Sequence, residues 1–297
     1  MTTLAEDALD RTALPQLARK EVGRYARHPL FLLSLVLLSL STVVPPDSDS
    51  ADAGTSTIGF AIVPAALLGV FGMIIMGRLT RASDRAAEAA GTVPTSQATR
   101  TLALASAVVV PLAVALLYYA YLVWGFHHWP PAADGIPVAE VGNDWVYAVL
   151  FTQGVIPAVG GPILGLALAR WLPQRGAVPV AAVVLVLAVM LMQGVFEPLR
   201  AIRLVMPWTH FAGQMGAEGE AGSLMVLTGS PYWWGAYLAL LCVGGLVVAL
   251  LRDDQRTHRR LVWLLAVIVV LAAACCFLAT THGLRSTIAY SLPSGLG

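Results

Sequence analysis

The sequence predicts an all-α polytopic membrane protein: an amphipathic N-terminal helix at the membrane interface, then six or seven transmembrane helices, with seven favoured. Three observations carry this. Hydrophobic residues make up 58% of the 297 residues and charged ones only 12%, about half the charge density of a soluble domain. The mean hydropathy is +0.75. A soluble fold of that composition has more apolar surface than it can hide, and disordered chains are poor in apolar residues. Finally, the apolar residues are gathered into seven long runs separated by short polar segments.

In chain order, residues 14–27 come first. Leu14, Leu17, Ala18, Val22 and Tyr25 recur near helical spacing, with Arg19, Lys20, Arg24 and Arg27 largely on the other side and Pro15 suited to a first turn. Such a helix lies in the interface with its arginines at the lipid headgroups. Pro29 marks the bend into the first run. The runs are 29–44, 56–76, 102–124, 146–169, 177–196, 232–251 and 261–280. A helix rises about 1.5 Å per residue and the hydrocarbon core is about 30 Å thick, so a span needs roughly 20 apolar residues. Helices are the default because lipid satisfies no exposed backbone group. The runs are too long and too uniformly apolar for barrel strands. Ala51-Asp52-Ala53 resembles a small-x-small cleavage site. The acidic stretch from Pro45 to Ser50 that precedes it is wrong for a leader, so the first run is read as an uncleaved span.

Basic residues set the orientation. A cytoplasmic N-terminus places 1–28, 77–101, 170–176 and 252–260 inside, with fifteen of the eighteen basic residues; only Arg200, Arg203 and Arg285 lie outside. Those inner segments hold eight acidic residues and the outer ones nine, so the formal net charge of +1 is the sum of two opposed faces. Trp124, Trp129, Trp145, Trp171, Trp233, Trp234 and Trp263 fall near span ends, where indole rings prefer to sit. The resulting organisation is an interfacial segment 1–28, a transmembrane domain 29–280 with an inner loop at 77–101 and an outer loop at 197–231, and an extracytoplasmic tail 281–297.

Several chemistries are absent. The single lysine, Lys20, follows Arg19 and not glycine, so there is no P-loop. Neither a His-Glu-x-x-His zinc motif nor a Gly-x-Ser-x-Gly nucleophile turn occurs. The spans are nearly free of the carboxylates a proton relay needs. Cys242, Cys275 and Cys276 sit in apolar runs as small hydrophobes. His127-His128 reads as an interfacial pair, not as metal ligands with Asp134, and Asp253-Asp254 reads as a solvated loop. No catalytic residue, metal, cofactor or nucleic-acid partner is expected of this chain.

Three stretches hold candidate functional residues. In the inner loop, Ser83 caps a short helix, with Asp84 at its positive end and Arg85 and Glu88 along it. Gly91 then ends that helix, Thr92 and Pro94 lie in the turn, and Ser96 caps a helix running straight into the third run. In the fourth run, Gln153, Gly154, Pro157 and Gly161-x-x-x-Gly165 share one helix. They serve either close helix packing or a flexing helix beside a pathway, with Gln153 and Gln193 as polar contacts. Glu197, Arg200 and Arg203, where the fifth run meets the outside, form either an outer gate or a solvated helix end.

Two of these stretches carry a resemblance. The N-terminal helix ending Glu21-Val22-Gly23-Arg24-Tyr25-Ala26-Arg27-His28-Pro29 is followed by two spans. After them come the charged helix from Asp84 to Glu88, the Gly91-Thr92 turn and the Pro94-Thr95-Ser96 step. This pattern resembles membrane permeases of the ABC type-2 exporter class, over the first 125 residues in detail and by layout beyond them. The resemblance implies that the 83–96 loop is a coupling helix docking on a separate ATPase subunit, which holds ATP and Mg. It also implies that two permease copies, or this chain and a homologue, enclose the substrate pathway in a bacterial cell membrane. The family further places short re-entrant helices before the sixth span, where 204–213 would serve. Two other classes stay open: a polytopic enzyme or assembly factor acting on lipid, which predicts polar clusters at one depth, and an ion-coupled transporter, which predicts buried carboxylates and internal repeats.

Overall fold

The computed structural model describes residues 2–43, 53–91, 95–129, 142–191, 205–206, 208, 212–215, 223–226, 228–253, 257–285 and 288–291. Each of the seven apolar runs is largely helical in its described residues, with single breaks at Ala61 in the second run and at Ala107-Val108 in the third. Five helical stretches are long and apolar enough to cross a membrane: Thr57–Ala89, Gln97–His128, Asn143–Trp171, Pro231–Asp253 and His258–Thr281. A sixth is reached if Ala13–Ala26 and Pro29–Val43, bent by 55°, count as one span; Ala177–Met190 is shorter and apolar.

The N-terminal helix α1 (Thr2–Ala26) starts well before the expected first turn, so Pro15 lies inside it. Its faces divide as the residue types dictate. Tyr25 and Glu21 are buried against α5 (Phe71–Ala90) and α6 (Gln97–Ser106), while Arg19, Lys20 and Arg27 are exposed. The bend falls at His28. Its carbonyl accepts the first hydrogen bonds of α2 (Pro29–Val43), and its Nδ1 accepts the Leu30 N–H at 3.2 Å. Burial and the nearby Arg78 guanidinium hold this imidazole below its ordinary range, which keeps Nδ1 available as an acceptor.

The second run comprises α3 (Ala53–Phe60), α4 (Ile62–Pro64), a π-helical segment Ala65–Val70 and α5. The third comprises α6 and α7 (Val109–His128), and the fourth α8 (Asn143–Leu150), a π-helical segment Phe151–Val155 and α9 (Ile156–Trp171). At the centre, α9 packs on α5 and on α11 (Pro231–Asp253). Its glycines make this contact possible. A methyl group on Gly161 would overlap the Gly69 carbonyl oxygen, and one on Gly165 would overlap that of Met73. Of the two readings of Gly161-x-x-x-Gly165, close backbone approach is the one these contacts satisfy. The fifth run, α10 (Ala177–Met190), leans on α5 through Val178 and Ala182.

The last two long helices, α11 and α12 (His258–Thr281), form an antiparallel hairpin. Gly244 sits beside Ile268, and the Ser230 N–H donates to the Ala279 carbonyl at 2.9 Å. The helical reading needs one correction here. A small antiparallel sheet in the order β1 (Ala212–Met215), β2 (Ser223–Val226), β3 (Ile288–Ser291) joins the long loop to the C-terminal segment, with Met225 opposite both Gly213 and Ala289. The expected re-entrant helix over 204–213 is therefore replaced at its end by a strand. The pairing also sets the loop and the C-terminal segment at the same end of the bundle. The outer surface of the helices is apolar: Val180, Leu187, Trp263, Val270 and Phe277 are all exposed, which suits hydrocarbon and not water.

Candidate functional site

The end of the bundle that carries α1 is where the charged side chains meet. Ser83 is not a helix cap, because α5 runs unbroken from Phe71 to Ala90. The alanine-rich stretch 82–90 contains no breaker, and a strong helix former extends the helix it joins. Gly91 ends the helix as expected. It takes φ 72°, where a side chain is strained, and its N–H bonds to the Glu88 carbonyl at 3.2 Å. Ser96 caps α6, its Oγ accepting the Thr99 N–H at 3.1 Å. Thr92 and Pro94 lie outside the described residues. The apolar helical stretch Thr57–Ala89 has 33 residues, more than the roughly 20 that a span needs, so its last turns, from Arg78 onward, exceed what crossing the hydrocarbon core requires. Arg85 and Glu88 are exposed on these last turns of α5, and Ser96 and Gln97 are exposed at the start of α6.

At its base is a buried ionic cluster. The Arg170 side chain, 2% exposed, ends α9 with Nη1 2.7 Å from Asp84 Oδ1 and Nε 3.3 Å from Asp253 Oδ2. The Asp253 side chain is fully buried at the end of α11, and the Thr101 hydroxyl of α6 donates to its Oδ2. Arg100 stands near Asp253 with Nε and Nη1 buried and lacking hydrogen-bond partners. Four helices, α5, α6, α9 and α11, are thus joined through one guanidinium and one hydroxyl. The bonding is incomplete: Arg170 Nε is close enough to Asp253 to form an ion pair but makes no hydrogen bond, and Arg170 Nη2 and Asp253 Oδ1 make none either. Asp84, one of the candidate coupling-loop residues, is paired with Arg170 while its side chain stays one-third exposed, and Asp253 is not the solvated residue that the sequence suggests.

Sequence reasoning took Arg170 and Asp253 for flanking charges, and helical phase was the overlooked signal. Ala158, Pro162, Leu166 and Arg170 form one buried i, i+4 stripe. Met76 and Thr80, both buried, precede Asp84 on the same stripe, and buried Ala249 lies one turn before Asp253. A charge that continues a buried stripe by one turn faces the same neighbour as the stripe.

The other candidates fall elsewhere. Gln153 is fully buried in the π-helical segment, and Gly154 abuts the Ala61 carbonyl. Pro157 lines a pocket of about 230 Å³ between α9 and α11, together with Gly160, Ile163, Leu241 and Trp208. Its walls are apolar, and Gln153 is not among them. Trp208, at φ 66°, drives its indole into this packing. Gln193, Glu197, Arg200 and Arg203 lie outside the described residues, as does Asp134. His127 Nε2 is 2.6 Å from the Tyr147 hydroxyl, and His128 stacks on Trp124 at 4.6 Å between ring centres. Among the described residues no three His, Cys, Asp or Glu side chains converge as metal ligands. No protein-family model, curated protein or solved structure matches this chain.

Proposed function

We propose that the chain is the membrane-spanning permease subunit of an ATP-driven exporter. In this reading it crosses a bacterial plasma membrane seven times with its N-terminus in the cytoplasm. It forms the substrate pathway with a second copy or a homologue, and it hydrolyses no ATP itself. ATP and Mg belong to a separate ATPase subunit that docks on the 83–96 loop. The ATPase comes from the family resemblance. The observation that supports the reading most is the helical projection of residues 78–90, rooted in the Asp84–Arg170–Asp253–Thr101 cluster. A push on the exposed tip at Arg85 and Glu88 reaches the ends of α6, α9 and α11 through side chains that already touch. Lever and load are then in direct contact, with the Asp84–Arg170 pair as the joint between them.

Isolation of the complex from its native membrane tests this. The expected result is co-purification of a chain with ATP-hydrolysing activity. Arg85→Glu combined with Glu88→Arg should loosen that association while leaving membrane insertion and thermal stability unchanged. Purification of the chain in functional form without any ATP-hydrolysing partner would sink the proposal.

A further inference from the structure

On the other side of α1, away from the ionic cluster, the bend at His28 opens a concave surface of about 600 Å³ between the second half of α1 and Leu79 of α5. Four cationic side chains line it: Arg19, Lys20, Arg24 and Arg27. Only one is neutralised, Arg24, whose Nη1 reaches both Glu21 carboxylate oxygens at 2.8 and 2.9 Å. Among the described residues Arg19, Lys20 and Arg27 form no ion pair. A further cation, Arg78, is exposed on α5 near His28. Like charges lining one concavity give it a positive potential, so the groove favours an anion.

Position and shape specify the anion further. The groove ends at Pro29, where α2 begins, and α2 presents exposed Leu32, Leu33, Val36 and Leu40 along its length. A basic concavity that gives way to an apolar helix face suits a molecule with an anionic head and aliphatic tails. The floor is open where the head would sit: a side chain at Gly23 would meet nothing within 4 Å. We propose that this groove is a binding site for the headgroup of an anionic phospholipid, its phosphate held by Arg19, Lys20 and Arg27 and its acyl chains laid along α2. The site depends on membrane embedding and not on an ATPase partner.

The test uses the full chain in detergent, with bound lipid counted by native mass spectrometry against mixed phosphatidylglycerol and phosphatidylcholine. The wild type should retain phosphatidylglycerol selectively. Each basic side chain near an anionic surface is worth about a factor of five, so Arg19→Gln/Lys20→Gln/Arg27→Gln should lower that selectivity on the order of a hundredfold. Gly23→Leu keeps every charge and improves helix propensity, yet it fills the floor and should also lose the lipid. This second variant decides the matter if the triple variant folds poorly. Undiminished selectivity in Gly23→Leu, equal retention of phosphatidylcholine by the wild type, or displacement of the lipid by millimolar inorganic phosphate would each overturn the proposal. The last outcome would mark a site for free anions, and retention only of an acidic protein would mark a protein-docking surface.

Discussion

Removing the Arg170 guanidinium should damage the protein more than removing Arg170 and Asp253 together. In Arg170→Met the Asp253 carboxylate, fully buried, loses its charged neighbour at 3.3 Å and keeps the Thr101 hydroxyl, with Arg100 nearby but not hydrogen-bonded to it. Leaving one buried charge uncompensated costs about 3–5 kcal/mol. The Asp84 contact adds less, because that side chain is 34% exposed and water screens it. Replacing both buried partners by apolar groups of similar size is often neutral, so Arg170→Met/Asp253→Leu should recover most of the loss. Thermal melting of the detergent-solubilised chain, followed by tryptophan fluorescence, measures this. The single variant should melt roughly 10 °C below wild type, at about 2–4 °C per kcal/mol, with the double variant between them. Arg170→Lys keeps the charge but not the fork that reaches two carboxylates on different helices, so it should also lie between. If the double variant loses the sum of the two single losses to within about 0.5 kcal/mol, the side chains are not coupled and the cluster does not hold the helix ends together.

Three further outcomes follow from particular contacts. Gly161→Ala places a methyl group on the Gly69 carbonyl; α5 and α9 must part, and the melting temperature should fall by an amount matching at least 1–3 kcal/mol, about the cost of overpacking. Ser96→Ala removes the cap of α6 and should cost about 1 kcal/mol, seen as faster amide exchange confined to Gln97–Ser106. Because His28 sits below its ordinary pKa of 6.5, the unfolded chain takes up the proton first as pH falls. Its share of stability is therefore present above pH 6.5 and is lost as pH falls through the folded value. His28→Asn, a cap that does not titrate, should flatten the dependence of melting temperature on pH in that window; an unchanged slope would remove His28 as its source.

How much of this was legible in the sequence depended on which forces set each feature. The helices are dictated by run length and by the impossibility of bare backbone in lipid, so their positions followed directly from the apolar runs. Gly91 and Ser96 were legible because cap chemistry is local: a left-handed φ calls for glycine, and a free N–H calls for a side-chain oxygen. Ser83 misled for the same reason, since a residue able to cap does so only where the helix is interrupted, and nothing upstream of it breaks α5. The sheet was missed because β3 joins β2 from more than 60 residues away, as in Met225 with Ala289, and because its four-residue strands, the local β1–β2 pair included, carry too little periodicity to stand out. The ionic cluster was missed because the rule that sets orientation counts every arginine alike. Arg170 and Arg175 score equally by that rule, yet one is buried and the other exposed.

That distinction matters for what the charged end of the bundle can do. A buried cluster with every donor matched to an acceptor pins its helices, because parting them strands several charges at once. The cluster here is not of that kind. Arg170 Nη2, Asp253 Oδ1 and two nitrogens of Arg100 lack partners, so the closed arrangement gives up part of its possible hydrogen bonding. Water entering between the ends of α9 and α11 would supply those bonds and offset much of what separation costs. Asp84, already one-third exposed, is the member whose hydration changes least. The joint nearest the exposed projection is thus the cheapest to open, and the Arg170–Asp253 joint deeper in the bundle the most expensive. A force applied at the tip of α5 would strain the Asp84 contact before it reached α11, so an Asp84→Asn variant should uncouple the projection while leaving the α9–α11 contact intact.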